Sequence, residues 1–174
     1  PTAAERPRQA NLLQMEACRI PFEGGIDVVG AFDVLEHIEE DELVLSQIYK
    51  ALHPGGGVIL TVPQHSFLWS SWDDISCHKR RYSRKALVGK MKRAGFMIVR
   101  STSFFTFLLP LMMLSRLKRS RSTGSQQELD LSAEFELPSF INKSLEKVCD
   151  LEQALLARGM SFPVGGSLLC VGIK

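Results

Sequence analysis

Apolar residues along this chain fall into short uninterrupted runs that alternate with stripes of helical spacing. Leu12-Leu13-Gln14-Met15 is the first run, and residues 26–35 form a longer one with little polar alternation, the pattern of a buried parallel strand. Gly24-Gly25 separates the two, so the segment reads as strand, loop, strand. Glu39-Glu40-Asp41-Glu42 then sets carboxylates where a helix has its positive end, and Val44, Leu45, Ile48 and Leu52 follow at helical intervals. That helix is expected to stop at His53-Pro54-Gly55-Gly56-Gly57, which cannot continue it. Residues 58–62 are β-branched and end at Pro63, predicting a second buried strand that feeds a loop.

Farther along, Ser83 is placed to cap a helix whose core stripe is Leu87, Met91 and Ala94, closed by Gly95. Residues 96–104 predict a strand. Pro138 and Asn142 introduce a helix with Leu145, Val148, Leu155 and Leu156, ended by Gly159, and residues 167–174 predict a last strand reached through Gly165-Gly166. Strands alternating with helices and closed by a hairpin-like pair make an α/β three-layer sandwich.

Length and composition narrow this picture. The 174 residues, 45% of them hydrophobic, suit one domain over residues 1–174. Residues 104–138 are expected to form an apolar and basic insertion or lid. Its first part, residues 104–117, is too short to span a bilayer and is expected to be broken by Pro110. With Arg116, Lys118, Arg119 and Arg121 behind it, that part reads either as an interfacial anchor, giving peripheral membrane contact, or as a lid over an apolar substrate. Residues 120–128 shift to Ser, Arg, Gln and Gly and predict a surface loop.

A net charge of +2 excludes a nucleic-acid partner as the expectation. Cys18, Cys77, Cys149 and Cys170 form no C-x-x-C pair, so neither a disulfide framework nor a metal site is expected, and reduced thiols suit a cytoplasmic protein. Residues 1–9 hold no apolar signal-peptide core.

Candidate chemistry gathers where strands end. The run from Asp27 leads into Phe32-Asp33-Val34-Leu35-Glu36-His37, an acidic-histidine turn at a position where open α/β sheets bind ligands. His37 is the candidate catalytic residue, since imidazole suits proton transfer near neutrality; the plainer reading is a helix start with a well-placed carboxylate. After Pro63 come His65, Phe67, Trp69 and Trp72, read as substrate contacts on a loop or as an apolar lid. His78-Lys79-Arg80-Arg81-Tyr82 reads as a phosphate or carboxylate reader, or as a solvated helix approach. His65, Trp69, His78, Arg81 and Tyr82 are therefore the candidate substrate-binding residues.

Three places carry a family resemblance: Met15-Glu16-Ala17-x-x-Ile20-Pro21-Phe22, Phe32 to His37, and Leu52-x-Pro54-Gly55-Gly56-Gly57 before a strand. In their order and spacing the chain, from residue 12 to 174, resembles the class I S-adenosylmethionine-dependent methyltransferases of the type 11 group, which includes ubiquinone and lipid-precursor methylases. The resemblance implies a Rossmann-like methyltransferase sandwich and S-adenosyl-L-methionine as cofactor. It implies Glu16 and Ala17 at the adenine, although aspartate is the usual residue at the position of Glu16, and Ala31, Phe32 and Asp33 at the methionine portion. His37 falls beside the reacting centre.

The family orders its strands 3-2-1-4-5-7-6, and its first strand, Gly-rich cofactor loop and ribose-binding acid have no counterpart in this sequence. The sheet is thus expected to be incomplete at the N-terminus, with the first two strands absent, and its open edge to favour a homodimer. The implied activity is methyl transfer to a small, apolar or lipid-like acceptor. The alternative is an inactive remnant serving as a dimerising, membrane-associated module.

Overall fold

The structure, a computed structural model, describes residues 11–120 and 138–174. In chain order it contains β1 (Ile26–Phe32), a 3₁₀ turn (Leu35–His37), α1 (Asp41–Ala51), β2 (Leu52–Pro63) and a 3₁₀ turn (Ser66–Leu68). The second half holds α2 (Ser71–Ile75), α3 (Arg84–Arg93), β3 (Met97–Phe104), α4 (Leu109–Ser120), α5 (Ser139–Ala157) and β4 (Ser167–Ile173).

The sheet order is β1-β2-β4-β3. β1 runs parallel to β2, while β4 is inserted antiparallel to both β2 and β3. This is the 4-5-7-6 end of the order that the resemblance implies. Alternation along β2 and β4 sends Val58, Leu60, Val62, Leu168 and Cys170 to one face, where they pack with Leu45 and Ile48 of α1 and Leu87 and Met91 of α3. Thr61 and Leu169 point to the other face, toward Cys149 and Leu156 of α5, and this completes the three layers.

Local signals hold at most ends. The Ser83 hydroxyl accepts the Ala86 N–H at 3.1 Å, capping α3 as expected. Gly95 closes the same helix with φ of 106°, and a Cβ there would also lie 2.8 Å from the Tyr49 ring. At the end of α5, Arg100 donates to the carbonyls of Leu156 and Met160, both at 2.7 Å.

Three expectations fail. The run from residue 26 forms a strand but not a buried one: β1 is the outer strand of the sheet and exposes Val28 and Phe32. Leu12 to Met15 form no strand: residues 11–16 have no regular structure and expose Leu12, Leu13 and Met15. A strand needs a pairing neighbour, and among the described residues none flanks that run. Pro110 does not break the apolar segment. Phe104 ends β3, a turn follows, and Pro110 is the second residue of α4, where its missing N–H leaves no intrahelical bond unmade. Residues 121–128 of the expected surface loop lie outside the described residues, as do Arg121 and the side chains of residues 116–120. Among the described residues no helix is long and apolar enough to cross a membrane.

Candidate functional site

The parallel strands β1 and β2 deliver their carboxyl ends side by side, and the turn after β1 is held to β2 by two bonds. The Asp33 N–H donates to the Thr61 carbonyl at 3.0 Å, and the Thr61 hydroxyl donates to the Asp33 carboxylate at 3.2 Å. Together they fix Asp33 at φ of 52°, a conformation costly for a residue with a Cβ. Phe32 stands largely exposed beside it.

The 3₁₀ turn then plugs Leu35 into the core and carries Glu36 inward with it. Glu36 is 0% exposed, and neither of its carboxylate oxygens has a hydrogen-bond partner. Burial pushes its pKa up to about 7; the charge of Asp33 acts in the same direction, against His78 and Arg81. His37 is 39% exposed, with Nε2 4.0 Å from Glu36 Oε1.

The segment after β2 folds over this turn. The Lys79 N–H donates to the Glu36 carbonyl at 2.7 Å, and the His78 ring meets the His37 ring edge to face at 4.7 Å between centroids. His78 Nδ1 lies 2.9 Å from Asp73 Oδ1. Asp73, buried, accepts Arg81 Nε at 2.7 Å and Nη2 at 2.9 Å, and the Ser70 N–H at 2.8 Å and hydroxyl at 3.0 Å. Although burial works against the charge, the hydrogen bonds from Arg81, His78 and Ser70 hold the Asp73 pKa down at about 2. Arg81 also donates to the Gln64 carbonyl at 3.3 Å, tying the network to β2.

His65 stacks on Phe67 at 4.9 Å, and its Nε2 is buried without a partner. Burial, and then the charge of Arg81, push its pKa down, which favours the neutral ring. Trp69 donates Nε1–H to Asp74 at 3.0 Å. Tyr82 stands apart from these residues. It belongs to the core, and its hydroxyl donates inward to Asp41 at 2.6 Å, so it presents no group to a substrate. Ala17 and Ala31 likewise pack against the core, while Glu16 is exposed in the segment before β1.

The structure thus brings Asp33, Glu36, His37, His78 and Arg81 to one end of the sheet. Sequence reasoning missed Asp73, which organises His78 and Arg81; the signal was present as Ser70-x-x-Asp73, a capping box at the start of α2. On the α5 side lies a cavity of about 330 Å³ whose lining includes Thr61, Phe104, Cys149, Glu152, Leu156 and Leu169. Glu152 accepts the N–H groups of Thr106 and Phe107 at 2.9 and 3.1 Å, so the walls on that side are fixed. Thr61, the partner of Asp33, joins the cavity to the strand ends.

Comparison with known proteins accords with this arrangement. Residues 4–101, more than half of the chain, match a family model described as a methyltransferase domain. No curated protein matches. Among solved structures the chain is similar to phosphoethanolamine N-methyltransferase 2 of Haemonchus contortus in complex with S-adenosyl-L-methionine, at 19% identity and a TM-score of 0.52, over 91% of this chain and 36% of that one. It is also similar to the Haloferax volcanii partner of the Trm112 methyltransferase activator, at 18% identity and a TM-score of 0.54, over 92% of this chain and 60% of that one. A third likeness, to an S-adenosylmethionine-dependent methyltransferase of Mesorhizobium loti, has 10% identity and a TM-score of 0.51, over 92% of this chain and 68% of that one. These likenesses show the fold, and the chain spans less than two thirds of the length of the first two structures.

Proposed function

The chain belongs to the methyltransferase domain family, and on that premise we propose that it transfers the methyl group of S-adenosyl-L-methionine to a small, apolar or lipid-like acceptor. The observation that carries this reading is the gathering of Asp33, Glu36 and His37 at the carboxyl ends of β1 and β2, where an open α/β sheet binds its ligand. The cofactor supplies an electrophilic methyl on a sulfonium that is already a good leaving group. What remains for the chain is to hold methyl and acceptor in line.

In this reading Glu16 and Ala17 face the adenine, Ala31, Phe32 and Asp33 the methionine portion, and His37 acts on the acceptor at the transferring centre. His65, Trp69, His78 and Arg81 lie along the acceptor's approach. The apolar cavity beside Thr61 suits a greasy acceptor, and the similarity to the Haemonchus phosphoethanolamine N-methyltransferase is in keeping with a lipid precursor. Exposed Leu111, Met113 and Leu114 on α4 favour contact with a lipid surface, which co-sedimentation with anionic vesicles checks.

The deciding experiment pairs two substitutions in the full-length protein. Glu16→Ala is expected to weaken cofactor binding about fivefold, the loss of one hydrogen bond of ~1 kcal/mol. His37→Ala is expected to lower kcat on the order of 100-fold with cofactor affinity unchanged. Calorimetry and turnover read the two effects separately; equal loss of binding in both variants overturns the assignment of His37 to the transferring centre.

A further inference from the structure

Glu36 is a buried carboxylate with no partner, in a site where two histidines face it, and this asks for an explanation that methyl transfer does not supply. We infer that Glu36, His37 and His78 form a binding site for a divalent transition-metal cation of the Zn²⁺ or Co²⁺ kind. The inference stands independently of the methyl-transfer reading, because binding of the cation needs neither cofactor nor acceptor.

Geometry comes first. Each of the three residues offers one ligand atom, and these atoms lie within 4.8 Å of one another. Ligand atoms on a tetrahedral cation at ~2.0–2.2 Å stand roughly 3.4 Å apart, so the widest separation has to close by up to about 1.4 Å, and the half-exposed His37 has the freedom to do so. Two imidazoles with one carboxylate suit a borderline cation, not Mg²⁺ or Ca²⁺, which take oxygen ligands.

The surroundings are arranged as a ligand's supports are. His78 Nδ1 is bonded to Asp73, which leaves Nε2 as the nitrogen presented to the site. Asp73 is in turn immobilised by Arg81 and Ser70, so the ring cannot swing. A carboxylate behind a histidine is the usual way a metal-binding imidazole is oriented and made a better donor. The Glu36 carboxylate has both oxygens unclaimed, and a cation satisfies it without a proton. On the open side, where His37 reaches solvent, a coordination position stays available to an acceptor oxygen.

The test uses the full-length, untagged protein, stripped with chelator and titrated with Co²⁺ in the absence of S-adenosylmethionine and acceptor. One equivalent is expected to bind and to develop visible d–d absorption, with Zn²⁺ displacing it. His37→Ala and His78→Ala are each expected to weaken Co²⁺ binding at least tenfold, with circular dichroism confirming the fold. Because His37 is half-exposed, its variant keeps the test decisive should His78→Ala fail to fold. No visible band in the stripped protein, or unchanged affinity in His37→Ala, overturns the site. Turnover unchanged in His37→Ala, with Co²⁺ bound by the parent protein and weakened in the variant, would count against the catalytic reading and leave the metal site standing.

Discussion

Asp41, at the start of α1, is buried and accepts the Tyr82 hydroxyl at 2.6 Å and Lys90 Nζ at 2.7 Å, with Arg80 Nη1 at 3.2 Å. Burial alone would raise its pKa; the hydrogen bonds from Lys90 and Tyr82, with the charges of Lys90 and Arg80, outweigh burial and hold it below the ordinary value of 3.8. A carboxylate depressed in the folded state contributes stability that is present above its unfolded pKa and lost as pH falls through the folded one. Urea unfolding between neutral and acid pH is therefore expected to show an acid limb that Asp41→Asn flattens. Tyr82→Phe, which takes a hydrogen bond from a charged group, is expected to cost ~1.5–3 kcal/mol in the same assay at neutral pH. At this scale the sequence was only partly legible. His78 and Arg81 were singled out as candidates, but Tyr82 beside them faces the core. Its partner Asp41 lies 41 residues away, and no local spacing announces which of four adjacent carboxylates turns inward.

Gly165 precedes β4, and a Cβ built on it would lie 2.3 Å from the Phe104 carbonyl oxygen at the end of β3. Backbone on both sides leaves nothing flexible to yield, so Gly165→Ala is expected to lower stability by ~1–3 kcal/mol, or several degrees in Tm. Gly25→Ala is the control, since its nearest neighbour would be 3.9 Å away, and its thermal transition should stay within about a degree of the parent's. Elements with a clear period were legible: the stripes of α1 and α3, the β-branched run of β2 and the approach to β4 through two glycines. Pro110 was misread because the same residue breaks a helix interior and starts a helix, depending on where the first turn falls. Here the turn is fixed by tertiary bonds, from Thr106 and Phe107 to Glu152, that no local pattern contains.

Across the whole molecule the sheet ends at β1, whose second hydrogen-bonding edge has no strand beside it among the described residues. The order of the four strands was legible through the family resemblance, since it fixed which strands neighbour which. The state of the run before β1 was not, because strand formation there depends on a neighbour that the local sequence does not supply. Val28 and Phe32, 58% and 61% exposed on β1, add apolar surface to unpaired backbone groups, the combination that recruits another strand. The 174-residue chain is accordingly expected to self-associate, with sedimentation velocity showing a mass-action shift toward dimer as concentration rises. Val28→Lys should oppose this by placing a charge on the edge strand, at little cost to the monomer because the position is already in solvent. A sedimentation profile that stays monomeric across the concentration range, or one that Val28→Lys leaves unchanged, would show that β1 is not the contact. The open edge would then be protected in solution by the chain's own segments.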